Sequence, residues 1–295
     1  MTAVRVAGVP EPYNLPWHLG REKGRFSEAG VDLHWHTVPE GTGRMCQMLR
    51  DGELDMAVLV TEGAVRDILN GGKHRIVSGF VESPLPWGVH VPAGAALTSL
   101  EDLRGIPYAI SRPGSGSHIM AMLHARRIGW IPAPSDLVVV HNMEGAAHRM
   151  ANGEPLIFLW ETYVTSRYVD AGVMRRVDEV RGDWPGFVIV ARTGLPPEVR
   201  QAVAQVLEVL RAEAEELEHD PHAVELVVQN AGFRDGLARE WLGHVRWSVA
   251  PPTGGGFTHL LNTLADLSLV PTRSVGPNAL VGTVRAGRPP GRSAR

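Results

Sequence analysis

The feature that most restricts the fold of this chain is an alternation, run through twice, of short apolar strands with helices of about ten residues. Strands are expected at residues 4–9, 31–38, 54–60 and 75–81, with a return strand at 88–91. The pattern then starts again, with strands at 108–111, 137–140, 156–159 and 187–191. Strands separated by helices form βαβ units, in which a largely parallel sheet is covered by helices. Two such runs in 295 residues predict two α/β lobes, each with its own core. After residue 196 the pattern becomes helical, with helices at 196–218, 221–230, 237–245 and 260–267. The glutamates 213, 215, 216 and 218 read as a solvated helix face.

In open α/β sheets the ligand crevice lies at the carboxyl ends of the strands. The loops at those ends are built here from small polar residues. The segment 107–130, PYAISRPGSGSHIMAMLHARRIGW, places Ser115, Gly116, Ser117 and His118 between a strand and a helix. A helix N-terminus has unpaired N–H groups and the positive end of the helix dipole, which together favour an anion. The plainer alternative is that Ser117 only caps the helix and the glycines only make the turn. A lysine is missing from the position that a nucleotide-phosphate loop requires, and the third glycine of a dinucleotide loop is Ile119. Gly41, Thr42 and Gly43 form a second such loop in the first run.

Further candidates stand where other strands end. Asn14 is a good cap for a helix expected over 15–26, with Trp17 and His18 in its first turn. Trp17 could stack on a flat ligand or pack in the lobe core. Thr61 and Glu62 open the helix after the third strand, and Trp160 and Glu161 hold the matching place in the second run. As cleft groups the two glutamates would read an amine or an N–H donor; as helix-start groups they would only cap.

Charge and cysteine content close off several classes. The net charge is −3, but residues 271–295 carry five arginines and no acid, so the body holds 24 basic against 32 acidic residues. Such a body is a poor partner for nucleic acid, and the Gly-, Pro- and Arg-rich tail 271–295 is expected to be disordered. The single cysteine, Cys46, permits no intrachain disulfide and no cysteine-based metal centre. It lies one turn inside a helix, where the dipole could activate a thiol, although a small buried hydrophobe is the commoner role. His34 and His36 alternate on one strand face without an evident third ligand, so no metal or other cofactor is expected. No apolar run approaches a membrane span and no signal segment precedes Val4. The chain as written is therefore expected in the cytoplasm, or in the periplasm or at the cell surface if its true start lies upstream.

The order of landmarks carries a resemblance. VAGVPEPYNLPWHLGREKGRFSEAGVDL is followed by VPEGTGRMCQMLRDGELDMAVLVTEGAV, SLEDLRGIPYAISRPGSGSHIMA, NMEGAAHRMANGE, LWETYVTS and WPGFVIVA. Over residues 3–270 the sequence resembles the type 2 periplasmic-binding-protein fold, in the branch of nitrate, sulfonate, taurine and thiamine-pyrimidine solute-binding proteins. NLPWH, GTG, TEG, SGSH and WE are similar to a signal-less subgroup of bacteria and fungi. The resemblance implies a two-lobe clamp with mixed, largely parallel sheets. Lobe 1 would comprise residues 1–88 and 193–270 and lobe 2 residues 89–192, with hinges near 87–92 and 192–196. It also implies ligand contacts at Asn14, Trp17 and His18.

The expected function is binding of a small organic anion or zwitterion, of sulfonate, carboxylate or pyrimidine type, in the interlobe cleft. The implied partner is an ABC-transporter permease, unless the protein is a cytoplasmic derivative of such a binding protein. The alternative is a cytoplasmic enzyme on the same scaffold, in thiamine-precursor or sulfur metabolism, because relatives of this fold include enzymes. It would use His18, His118 or Cys46.

Overall fold

The computed structural model describes residues 1–97, 99–270 and 276–283. The chain opens with β1 (Thr2–Gly8), α1 (Leu15–Glu22), α2 (Arg25–Glu28), β2 (Val31–Thr37), α3 (Thr42–Asp51), β3 (Met56–Val60), α4 (Thr61–Leu69) and β4 (His74–Val81). It continues with β5 (Trp87–Pro92), β6 (Tyr108–Ile110), α5 (Gly116–Arg127), β7 (Leu137–Val139), α6 (Met143–Ala151), β8 (Ile157–Glu161), α7 (Ser166–Asp170) and β9 (Met174–Val180). After β10 (Phe187–Arg192) only helices follow: α8 (Pro197–Glu218), α9 (Ala223–Ala231), α10 (Asp235–His244) and α11 (Thr258–Asp266).

The strands form two five-stranded sheets, ordered β2-β1-β3-β10-β4 and β7-β6-β8-β5-β9. The same order thus occurs twice. In each sheet four strands run one way and the fourth in the order runs against its neighbours: β10 is antiparallel to β3 and β4, and β5 to β8 and β9. This is the two-lobe, largely parallel α/β architecture expected from the strand–helix alternation. Central strands are apolar on both faces, as in Met56–Val60, whereas edge strand β2 buries Val31 and exposes Asp32 and His36.

The lobe boundary differs from the expected one. β10 belongs to the first sheet, so the chain passes between lobes at residues 82–86 and 181–186, not at 87–92 and 192–196. An apolar run such as FVIVA demands burial on both faces but does not say in which sheet. The strand β9 is absent from the sequence reading, because its inner residues MRRVDEV are mostly charged and only Met174 and Val180 are buried.

Packing explains two further departures. The helix expected over 15–26 breaks at residues 23–24 into α1 and α2, which lets Phe26 stack on Trp17 with ring centroids 6.0 Å apart. Glu213 does not face solvent: it is 1% exposed, with Lys23 Nζ at 3.0 Å and Arg25 Nε at 3.5 Å. The expectation of disorder also fails for part of the tail. Residues 277–280 make a helical turn, Leu280 is fully buried, and Gly282 N–H donates to the Ile76 carbonyl at 2.9 Å on the free edge of β4. An apolar leucine and an open sheet edge suffice to order 276–283. The rest of 271–295 lies outside the described residues. Among the described residues no helix is long and apolar enough to cross a membrane.

Candidate functional site

The carboxyl ends of both sheets face each other across a cleft. Its outer part, about 740 Å³, is lined from the first lobe by Val9, Glu11 and His18 and from the second by Asn142, Trp160 and Arg167. The end of α9 closes it with Asn230 and Phe233. Val9, Glu11 and Trp160 also border an inner chamber of about 40 Å³, bounded by Gly41, Thr42, Trp87, Ser111, Ser115, Gly116, Ser117, Glu161 and Phe187. That is room for about one or two water molecules. Val60 and Leu85 complete its wall, so loops from both lobes meet at one small, mainly apolar cavity with a few polar groups set into it.

At the start of α5 the serine hydroxyls are occupied by the loop itself. Ser115, not Ser117, is the cap: its Oγ accepts from His118 N–H at 3.3 Å and donates to the Arg112 carbonyl at 2.8 Å. Ser117 Oγ accepts from Ser111 N–H at 2.9 Å and lies 3.0 Å from Ser115 Oγ. What this loop can offer a ligand is mainly the N–H groups of the first turn, which have no intrahelical partner. Gly41 caps α3 with φ 79° and ψ −165°, a backbone region open essentially to glycine alone. Thr42 Oγ1 accepts from Val60 N–H at 3.1 Å, which ties α3 to β3. Gly41 and Thr42 line the chamber at the end of α3 whose first N–H groups have no intrahelical partner.

Opposite these donors stand two carboxyl groups. Glu161 Oε1 accepts from Tyr13 O–H at 3.2 Å and Oε2 from Val164 N–H at 2.8 Å. Burial, with the neighbouring Glu11 carboxyl adding to it, pushes Glu161 up to about 8. Burial pushes Glu11 up to about 7, against the pull of the Trp160 side chain. Trp160 stands 6.4 Å from Trp87, nearly edge-on, and stacks on Phe158. The Tyr13–Glu161 bond joins the two lobes directly.

Other expected site residues serve elsewhere. Trp17 is fully buried among Phe26, Trp35 and Phe80, so it packs the first lobe and does not stack on a ligand. Asn14 Nδ2 donates to the Val9 carbonyl at 2.8 Å and stabilises the turn after β1. His18 is at the outer rim, edge-on to Trp35, with its pKa lowered mainly by burial. Gly43 makes room for Arg112, whose side chain a Cβ there would strike. Thr61 and Glu62 are buried beside the 181–186 crossing: Thr61 N–H donates to the Gly186 carbonyl at 3.1 Å, and Glu62 Oε2 accepts from Trp184 Nε1–H at 3.0 Å. Burial raises Glu62 to about 7. His118 Nδ1 accepts from Gly114 N–H at 2.9 Å, and burial together with Arg66 lowers its pKa to about 4.

Cys46 is 1% exposed on the inner side of α3, outside the cleft lining, and burial pushes its thiol well above the ordinary range. That environment is the reverse of an activated nucleophile. His34 and His36 lie on the exposed face of β2, with His34 Nε2 2.9 Å from Asp32 Oδ2.

Sequence reasoning passes over Glu11, Tyr13, Trp87, Arg66 and Arg112. Glu11 and Tyr13 follow β1 and could have been chosen by the same strand-end rule that selects Asn14. The two arginines depend on lobe closure. Arg112 from the second lobe covers Gly43 of α3, and Arg66 from α4 lies against Gly114 of the second lobe. Arg66 Nε and Arg112 Nη1 are buried without hydrogen-bond partners.

Two α/β lobes of identical strand order, crossed twice by the chain and facing each other over a cleft, define the periplasmic-binding-protein fold. Within it, residues 88–180 match the family described as Ca3427-like PBP. The chain is similar to the Candida albicans CA3427 gene product, described as defining a family with the generic periplasmic-binding-protein fold. The identity there is 22% over 98% of this chain and 99% of that one, with a TM-score of 0.85. It is also similar to the alkanesulfonate-binding protein SsuA from Xanthomonas axonopodis pv. citri bound to MOPS (17% identity, 95% and 98% covered, TM-score 0.78). The periplasmic nitrate-binding protein NrtA from Synechocystis PCC 6803 is a third similar structure (12% identity, 95% and 85% covered, TM-score 0.70). No curated protein matches the sequence.

Proposed function

We propose that this protein binds a small organic zwitterion, or an anion bearing N–H donors, in its interlobe cleft and releases it unchanged. The observation that carries the reading is the pairing of opposites around one cavity. The N-termini of α3 and α5 suit a sulfonate, carboxylate or similar anionic group, while Glu11 and Glu161 suit an amine or a protonated ring nitrogen. A simple inorganic anion would leave both carboxyl groups unmatched. Trp160, which lines both the small chamber and the outer cleft of about 740 Å³, supplies flat apolar surface for the body of such a ligand. The solute-binding neighbours for alkanesulfonate and nitrate support the anionic half of the assignment.

Two roles fit this chemistry: delivery of the ligand to an ABC-transporter permease, or its capture by a cytoplasmic derivative of such a protein. The alternative of catalysis loses its best nucleophile, because Cys46 is outside the cleft and held as a thiol. The test is native mass spectrometry of the purified protein, followed by thermal-shift titration with aminosulfonates, amino acids, pyrimidines and the matching simple anions. Binding is expected for a compound carrying both groups, with loss of affinity in Glu161→Gln. Equal binding of the simple anions by both proteins would refute the zwitterion reading. A ligand recovered chemically altered would favour the enzyme.

A further inference from the structure

Behind the cleft, on the far side of α3, three side chains from separate elements converge. They are Cys46 of α3, Asp67 of α4 and His74 at the start of β4, and one donor atom from each lies within 4.8 Å of the others. Cys46 is 1% exposed and His74 fully buried. His74 Nδ1 is 3.7 Å from Asp67 Oδ2, yet that oxygen and both ring nitrogens have no hydrogen-bond partner. A fully buried imidazole and a carboxylate oxygen 3.7 Å from it, within ion-pair reach but without a hydrogen bond, are poorly satisfied and suit a bridging cation.

The surroundings are arranged around that gap. Arg50 Nη1 takes the other oxygen, Asp67 Oδ1, at 2.5 Å, which orients the carboxylate and leaves Oδ2 turned toward His74. Gly72 keeps the space beside Oδ2 clear, since a Cβ there would collide with it. The present Nδ1–Oδ2 separation already matches the roughly 3.3–3.8 Å between donors in a tetrahedral zinc site with bonds of about 2.0–2.3 Å. Cys46 Sγ lies within 4.8 Å of both partners' donor atoms.

We propose that Cys46 Sγ, Asp67 Oδ2 and a ring nitrogen of His74 bind one zinc-class divalent cation, which staples α3, α4 and β4 together. A mixed sulfur, nitrogen and oxygen donor set selects zinc or cobalt over magnesium and calcium, which prefer oxygen alone. On binding, the Sγ–H proton leaves to solvent and a metal–sulfur bond takes its place; thiolate and carboxylate then balance the two positive charges. The staple grips α3 one turn behind Thr42, so it would hold the helix end that lines the ligand chamber. This separates it from the ligand reading above: either can hold if the other fails.

The experiment uses the untagged full-length chain, stripped with a chelator and titrated with Co²⁺ alone. One equivalent should bind and produce a thiolate-to-cobalt charge-transfer band in the near ultraviolet, displaced by Zn²⁺. The thermal midpoint should rise and fall back on chelation. Cys46→Ser should lose the band, and His74→Gln should weaken binding by at least about tenfold, the scale that even outer partners of a metal site command. His34→Gln, on the exposed face of β2, should change nothing. Binding without the band, or no binding by the folded wild type, overturns the proposal. Because Cys46 is the single cysteine, the wild-type spectrum decides the matter even if a variant fails to fold.

Discussion

Replacing Glu161 by Gln separates a carboxyl group kept for a ligand from one kept for packing. The group is 2% exposed, and among the described residues no cation pairs with it. Burial and the Glu11 carboxyl raise it from 4.5 to about 8. The unfolded chain therefore gives up this proton near pH 4.5 while the native chain holds it to about pH 8. Native stability is fully present below about pH 4.5, declines as pH rises through that window, and stays low above about pH 8. The cost reaches about 3 kcal/mol at pH 7 and about 5 kcal/mol above pH 8. Glu11 adds a decline of the same sign, ending near pH 7. In Glu161→Gln the new side-chain amide could turn its carbonyl oxygen to Val164 N–H and its NH₂ to the Tyr13 oxygen, so both existing bonds have successors. Glu161→Gln should then raise the thermal midpoint by about 5–10 °C at pH 7 and leave it unchanged near pH 4. It should weaken ligand binding at the same time. Superposed wild-type and variant midpoints from pH 5 to 9 would refute the account. So would a variant that loses stability and affinity together, as a packing residue does.

Three other substitutions probe single features. Gly114→Ala forces a side chain into a backbone with φ 80° and into the Arg66 guanidinium, and should cost about 1–3 kcal/mol in chemical denaturation; unchanged stability would mean the loop relaxes freely. Leu280→Ala should destabilise by about 2–5 kcal/mol if 276–283 is docked as described, and a midpoint equal to wild type would undock it. Trp17→Ala should cost about 3–5 kcal/mol while the folded fraction keeps its ligand affinity; selective loss of affinity would return Trp17 to the cleft.

The sequence yields those features whose physics is local. The strand-end loops are legible because their small residues do their work within a few positions. Gly41 opens a backbone region without a Cβ penalty, and a serine caps the next turn, although the sequence points to Ser117 for that cap and the structure uses Ser115. Strand positions are legible wherever the run is apolar, and β9 is not, since an edge strand of this kind needs only Met174 and Val180 inside. Whatever depends on a distant partner stays hidden. Glu213 has the periodicity of its solvated neighbours, and nothing nearby in sequence reveals that Lys23 and Arg25 will cover it. Trp17 is equally suited to a ligand or a core until Phe80 arrives beneath it. The site follows the same rule. Its loops can be read one lobe at a time, but Tyr13 reaches Glu161, and Arg66 reaches Gly114, only after the two lobes meet. Lobe closure is therefore what turns Glu161 from a strand-end acid into a buried carboxyl group poised near neutral pH, and a ligand that supplies a positive charge there would stabilise the closed form most.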